Sequence, residues 1–419
     1  MTANTPPSLS DLFKVFGRIG LLSFGGPAAQ IALMHRELVE ERPWLEDGKF
    51  LGALSFCMLL PGPEAMQLAT YAGWRLRGTL GGLIAGGLFV LPGALVIAAL
   101  ALAYGQWGTL PLVQAAFLGI KALVIVIVLQ ALARLARKTL TAPDRWLLAG
   151  LAFVATFAFS LPFPLIVALA ALWGFLATRP AATTPPPPSE GALRQSLRQT
   201  LLWGALWLGP VALLALSGAS FLTDIALFFS KLAVVTFGGA YAVLAYMAQA
   251  AVETHGWLGA EQMIDALGLA ETTPGPLILV TQFVAMVAGQ NASGPGLALA
   301  AGLVALWVTF VPCFLWIFAL APHVERLLAQ PRLQGALQGI TAAVAGVILN
   351  LSVFFALHVF FAEVETGGPG LRPVWSSLQS GAVVLTILAA GIVFGLRRGP
   401  LVALLPMAAA GIGLALLAP

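Results

Sequence analysis

Long apolar runs recur along this chain, separated by short polar stretches. Crossing the hydrocarbon of a bilayer takes roughly 20 apolar residues, and runs of that order cover 79–104, 111–133, 146–178, 199–218, 296–320, 335–361, 378–396 and 400–418. The run 146–178 reads as two helices, because Pro162 and Pro164 interrupt it. The pattern predicts an all-α polytopic membrane protein. Two further apolar segments, 48–60 and 64–77, are too short to cross alone and are joined by Pro61-Gly62-Pro63, which lacks two amide donors and permits a sharp turn. Phe24-Gly25-Gly26-Pro27 interrupts the first apolar stretch in the same way.

Composition narrows the reading. Of 419 residues, 59% are hydrophobic and 9% charged, with a mean hydropathy of +0.94. Soluble domains carry about 25% charged residues, so most of this surface faces something other than water. The N-terminus has no signal-peptide pattern, since Pro6 to Asp11 is polar and no cleavage site follows an apolar run. Cys57 and Cys313 lie inside apolar runs and read as small buried hydrophobes. The net charge of +4 comes from basic residues in small loop clusters, such as Arg134, Arg137, Lys138 and Arg145, and does not indicate nucleic-acid binding.

The chain repeats itself. Residues 11–63 align without a gap onto 224–276 at an offset of 213, with 17 identities in 53 positions. Asp11 matches Asp224, Phe24-Gly25-Gly26 matches Phe237-Gly238-Gly239, Trp44 matches Trp257, and Pro61-Gly62-Pro63 matches Pro274-Gly275-Pro276. After a seven-residue insertion near 287–296 the register resumes at an offset of 220, where Pro92 meets Pro312 and Gly119 meets Gly339. The expected organisation is a first repeat at 1–178, a Pro-rich cytoplasmic linker at 179–198 containing Pro185–Pro188, and a second repeat at 199–419. Lysine and arginine concentrate in the loops at 134–145, 179–198, 326–332 and 397–398, which places those loops in the cytoplasm. The N-terminus is then cytoplasmic and the C-terminus extracytoplasmic. The span 199–218 inverts the second repeat relative to the first, a recurring transporter architecture with its site at the midplane.

The first part of each repeat admits two arrangements: broken spanning helices, or re-entrant hairpins. The loop 35–49 carries Arg36, Arg42 and Lys49 while its counterpart 248–262 has no Lys or Arg, which favours hairpins. Irregular backbone at membrane depth is tolerated only where protein buries it or a polar cavity adjoins it. Four such breaks place helix N-termini at Pro27, Pro63, Ala240 and Pro276, and a helix N-terminus favours an anion. Glycine and proline also kink membrane helices without any ligand, but four duplicated breaks exceed what a kink requires.

Charged and polar residues cluster near the breaks. Arg18 and Lys231 occupy equivalent positions six residues before each Phe-Gly-Gly, with Asp11 and Asp224 on the same helical face. They suit an oxyanion, though snorkelling or pairing with the aspartate explains them equally. Lys121 stands within an apolar run, where a functional role or packing against Gln130 or a carboxylate are the alternatives. Glu64, directly after the first Pro-Gly-Pro, and Glu271, three residues before the second, are candidate proton carriers. Gln67 shares a helical face with Glu64, and Ser23, Thr236, Thr272 and Thr273 add hydroxyls beside the breaks or satisfy loosened backbone. His35, His255, His323 and His358 do not cluster, so neither a metal nor a cofactor is expected. No catalytic or nucleotide-binding signature appears, so this is not read as an enzyme. Gly82/Gly86 and Gly335/Gly339 mark close helix packing.

Phe24-Gly25-Gly26-Pro27, the charged stretch Arg36–Lys49 with Trp44, and Leu60-Pro61-Gly62-Pro63-Glu64 with Gln67 resemble the N-terminal domain of the chromate ion transporter family. Phe237-Gly238-Gly239 and Thr273-Pro274-Gly275-Pro276 resemble its C-terminal domain, so the resemblance is to the long-chain, two-domain form. It implies export of chromate from the bacterial cytoplasm across the inner membrane, chromate resistance, overlap with sulfate-like oxyanions, and energy from a proton gradient or the membrane potential. It points to Arg18, Arg36, Glu64 and Gln67. The second repeat departs from the pattern, with Leu277 where an acid follows the first Pro-Gly-Pro. A channel-like anion conductor and a transporter of another small anion are the alternatives. A homodimer is compatible with the sequence, which does not set the oligomeric state.

Overall fold

The computed structural model describes residues 7–179, 191–237, 240–366 and 370–417. Nearly all of it is helix. The first half comprises α1 (Leu9–Leu22), α2 (Gly26–His35), α3 (Asp47–Cys57), α4 (Glu64–Trp107), α5 (Pro111–Thr139), α6 (Pro143–Phe157) and α7 (Phe163–Ala177). The second comprises α8 (Ala192–Leu216), α9 (Ser220–Val235), α10 (Ala240–Gln249), α11 (Ala260–Ala270), α12 (Val280–Ser293), α13 (Pro295–Leu320), α14 (Val324–Leu328), α15 (Pro331–Phe360), α16 (Ser380–Ala390) and α17 (Pro400–Leu417). A two-stranded antiparallel hairpin, Val364–Thr366 with Leu371–Pro373, follows α15; the hydrophobic pattern gave no sign of it. α8 begins at Ala192, inside the stretch expected to be linker. The proline run 185–188 lies outside the described residues.

Among the described residues, six helical stretches are long and apolar enough to cross a membrane. In α8 and α17 the most apolar windows are only 17% buried, leaving leucines such as Leu213, Leu216 and Leu405 exposed along their length. In a polytopic membrane protein, lipid covers such a surface.

α4 is not one rod. Arg77 and Gly78 leave helical geometry, Gly78 with φ 63, and the chain folds back so that Gly73 meets Gly81 and Gly82 meets Thr70. α12 and α13 form the corresponding hairpin about Gly294, with Gly289 against Leu297 and Ala298. The seven-residue insertion now has a geometric account. Pro276 to Gly294 spans 18 residues against 15 from Pro63 to Gly78 (294−276 and 78−63), and Gly294 to Pro312 spans 18 against 14 from Gly78 to Pro92 (312−294 and 92−78). Each arm gains three or four residues, about one helical turn. The second hairpin is longer, yet its inner faces keep their register.

The chain packs as two compact units, and each draws on both repeats. One contains 1–99, 178–240 and 273–334; the other contains 100–177, 241–272 and 335–419. The repeat is therefore a unit of sequence, whereas packing joins segments of the two copies. In the first unit, α13 packs on α8, α9 and α12 around fully buried phenylalanines including Phe16, Phe89, Phe229 and Phe283. In the second, α5 packs on α16 and α17 through Ala122, Leu123, Val126, Leu385, Ala389 and Met407. Gly339 and Gly335 bring α15 against Ala170 and Gly174 of α7, the close approach their spacing predicts.

Candidate functional site

The first unit brings motifs of both repeats together. α1 ends at Leu22 and α9 at Val235, and at each end the chain makes the same three-residue turn. Phe24 N–H donates to Leu22 O at 2.9 Å, and Phe237 N–H donates to Val235 O at 3.1 Å. The central residues, Ser23 (φ −77, ψ 67) and Thr236 (φ −76, ψ 90), approach inverse γ-turn geometry. Gly25 (φ 85) and Gly26 (φ 80) follow in the left-handed region, where a side chain would be strained. Gly238 and Gly239 lie outside the described residues.

The γ-turns leave the Ser23 and Thr236 carbonyls available as acceptors. Each Pro-Gly-Pro contains a single amide proton, that of its glycine. Gly62 N–H donates to Thr236 O at 2.8 Å, and Gly275 N–H donates to Ser23 O at 2.8 Å. The first repeat's Pro-Gly-Pro is thus tied to the second repeat's Phe-Gly-Gly turn, and the reverse. Both glycines hold positive φ (Gly62 121, Gly275 89).

Two buried glutamines reinforce these turns. Gln30 of α2 donates through Nε2 to Gly275 O at 2.7 Å and Ser23 O at 3.3 Å. Gln67 of α4 donates to Pro61 O at 2.7 Å. The Oε1 atoms of both are buried with no hydrogen-bond partner among the described residues. The equivalent second-repeat positions are Val243 and Val280, so this polar lining is one-sided. The first-turn amides of α2 and α4 have no acceptor within their helices, and their dipoles point at the breaks.

A family model for chromate transporters matches residues 10–175 and 223–414, one stretch in each repeat. The chain belongs to the chromate transporter family. It is 33% identical to a chromate transport protein of Pseudomonas aeruginosa over 93% of this chain and 93% of that protein. It is 31% identical to a probable chromate transport protein of Synechococcus elongatus (92% and 96%) and 30% identical to a chromate transport protein of Cupriavidus metallidurans (85% of each). No solved structure matches the chain. Family members are transporters rather than enzymes.

The charged residues singled out from the sequence do not converge with the backbone turns. Arg18 lies 3.5 Å from Glu37, a carboxylate with no exposed surface, which Arg42 also reaches at 2.5 Å. Asp11 does not pair with Arg18; it closes a capping box with Ser8 at the start of α1, where backbone donors need acceptors. Arg36 pairs with Glu41 at 3.5 Å. Lys231 sits on an exposed face of α9, and Glu64 opens α4 partly buried. The hydroxyls of Ser23, Thr236 and Thr272 donate to the carbonyls of Ile19, Leu232 and Leu269. They are committed to loosened helix ends, the backbone alternative for these residues. Thr273 is buried beside Pro274.

The second unit holds the remaining candidates. Lys121 is 3.3 Å from Glu261 and 3.6 Å from the buried Asp265, which also accepts from Tyr104 at 2.7 Å. The carboxylate alternative for Lys121 therefore holds; Gln130 bonds to Arg134 instead. Glu271 accepts from Tyr241 at 2.7 Å. Sequence reasoning missed Gln30, Glu37 and Asp265. Gln30 and Asp265 carried one signal, a polar residue within an apolar stretch, but nothing local named their partners.

Proposed function

We propose that this chain exports chromate from the cytoplasm by alternating access between two inverted repeats, with the anion bound at the four backbone breaks. The observation that carries this reading is the reciprocal pair of hydrogen bonds, Gly62 to Thr236 and Gly275 to Ser23, which binds each repeat's Pro-Gly-Pro to the other's Phe-Gly-Gly turn. A paired, backbone-built site with helix N-termini beside it suits a tetrahedral dianion of the chromate or sulfate class. The substrate comes from the curated relatives, which are named as chromate transport proteins.

Re-entrant hairpins fit this proposal better than broken spans. Arg77 Nε donates to Pro7 O at 2.5 Å, tying the turn of the α4 hairpin to the chain's beginning. Lys49 of α3, Arg75 of α4 and Arg326 of α14 line one cavity, so these helix segments share a face. With that face cytoplasmic, α3 and the first arm of α4, about 16 and 21 Å long, reach past the middle of the hydrocarbon at most before meeting at Pro-Gly-Pro. The coupling residues are Glu64 and Glu271, and the location is the bacterial inner membrane.

Chromate uptake into inside-out vesicles tests this. Uptake that rises with an imposed proton gradient supports coupled export, and Glu64→Gln or Glu271→Gln should remove that stimulation. Uptake that follows potential alone, unaffected by either change, favours a channel-like conductor. Sulfate should compete.

A further inference from the structure

Within the first unit, α3, the first arm of α4 and the segment after α13 line an open cleft of about 460 Å³. Among the described residues its lining includes the basic Lys49, Arg75 and Arg326 and one acid, Glu325. Lys49 is also paired with Glu46 at 2.8 Å. Arg75 and Arg326 make no hydrogen bond or ion pair with any described residue. Tyr71 and Trp74 stand in the same wall, their rings 5.7 Å apart, and bring an O–H and an N–H donor.

His323 adds to this polarity. Ser196 Oγ donates to Ala319 O at 2.6 Å, so its contact with His323 Nε2 at 3.0 Å requires the proton to sit on that nitrogen. Basic groups that outnumber the acid in a concave wall focus positive potential and concentrate anions there. Guanidinium groups also match the paired oxygens of a tetrahedral oxyanion. α3 and the first arm of α4 both run from this cavity to Pro61-Gly62-Pro63, so the cavity stands at the outer end of the hairpin whose inner end is the break.

We propose that this cavity is a cytoplasmic vestibule that binds a tetrahedral oxyanion dianion, through Arg75 and Arg326, before it reaches the breaks. The proposal rests on the export reading above, which puts this face in the cytoplasm. The same chemistry would hold the phosphate of an anionic lipid headgroup, and the test separates the two.

The experiment is chromate uptake as a function of concentration, in proteoliposomes of phosphatidylcholine alone and of phosphatidylcholine with phosphatidylglycerol. Arg75→Gln/Arg326→Gln should raise the half-saturating chromate concentration at least about fivefold in both lipids, with the maximal rate little changed. Glu325→Gln should lower it, a gain that misfolding cannot mimic. Arg75→Lys/Arg326→Lys, which keeps the charge but loses the paired guanidinium donors, should fall between wild type and the double glutamine variant. An unchanged half-saturation in the double glutamine variant, or an effect confined to phosphatidylglycerol, would overturn the vestibule. Absence of uptake by the wild-type protein would instead sink the export reading itself.

Discussion

Replacing Gln30 by leucine isolates what the side-chain brace contributes to the paired turns. Gln30 is 1% exposed and supplies one strong hydrogen bond to Gly275 O (2.7 Å) and one weak one to Ser23 O (3.3 Å). Ser23 O keeps its donor, Gly275 N–H, so the loss falls on the Gly275 carbonyl. Hydrogen bonds inside membrane proteins average about 0.6 kcal/mol and reach about 1.7. An orphaned buried acceptor costs about 1–3 kcal/mol in soluble proteins. Removing the unpartnered Oε1 offsets part of this, and leucine is close enough in volume to keep any cavity small. The expected net loss is about 1 kcal/mol of unfolding free energy, measured by denaturant titration in detergent. Transport should fall about fivefold or more, because a fraction of a turn's displacement at Gly275 misplaces the whole second break. Val243, the equivalent position in the second repeat, is buried and apolar, so no such brace exists there to remove. A Gln30→Leu protein matching wild type in both stability and uptake would show that the side-chain brace contributes nothing to the paired turns.

Other consequences follow from the same contacts. A Cβ at Gly93 would overlap the Pro274 carbonyl oxygen, whereas Gly87 faces open space. Gly93→Ala should abolish uptake and cost about 1–3 kcal/mol, while Gly87→Ala should do neither. Lys121→Met would leave Asp265 buried without its cation and should destabilise by about 3–5 kcal/mol, much of it recovered in Lys121→Met/Asp265→Asn. At the C-terminal end of α2, His35 sits 2.7 Å from Asp47 and 3.0 Å from Glu40. These carboxylates, Asp47 foremost, raise its pKa above the ordinary 6.5 against a smaller desolvation effect. Its contribution is therefore fully present below pH 6.5 and is lost as pH rises through the elevated value. The wild-type melting temperature should drop across that window, and His35→Ala should flatten the drop.

Much of this architecture was legible because glycine and proline carry backbone information. Pro-Gly-Pro has one amide proton wherever it occurs, and duplicated Phe-Gly-Gly announces duplicated turns, so the four breaks could be placed from spacing alone. The break at Arg77–Gly78 matched the end of the short run 64–77. Contacts across the chain were not legible. Helical periodicity says which face of α2 bears Gln30 but nothing about Gly275, whose partner position lies in the other repeat. The pairing of Arg18 with Glu37 was hidden for a related reason. Asp11 was the nearer acid along the helix, and its use as a cap became clear only with Ser8 in place. The mixing of both repeats in each compact unit is likewise a property of packing, which an alignment offset does not encode.

The central claim is that the anion binds at the paired breaks rather than on an isolated charged side chain. Crystals grown with chromate, measured on either side of the chromium absorption edge, locate it directly. With the anion at the paired breaks, an anomalous peak is expected within hydrogen-bonding reach of the turns at Ser23, Gly62, Thr236 and Gly275. A peak found instead beside Arg18 or Lys121, or in the basic cavity with none at the breaks, would contradict it.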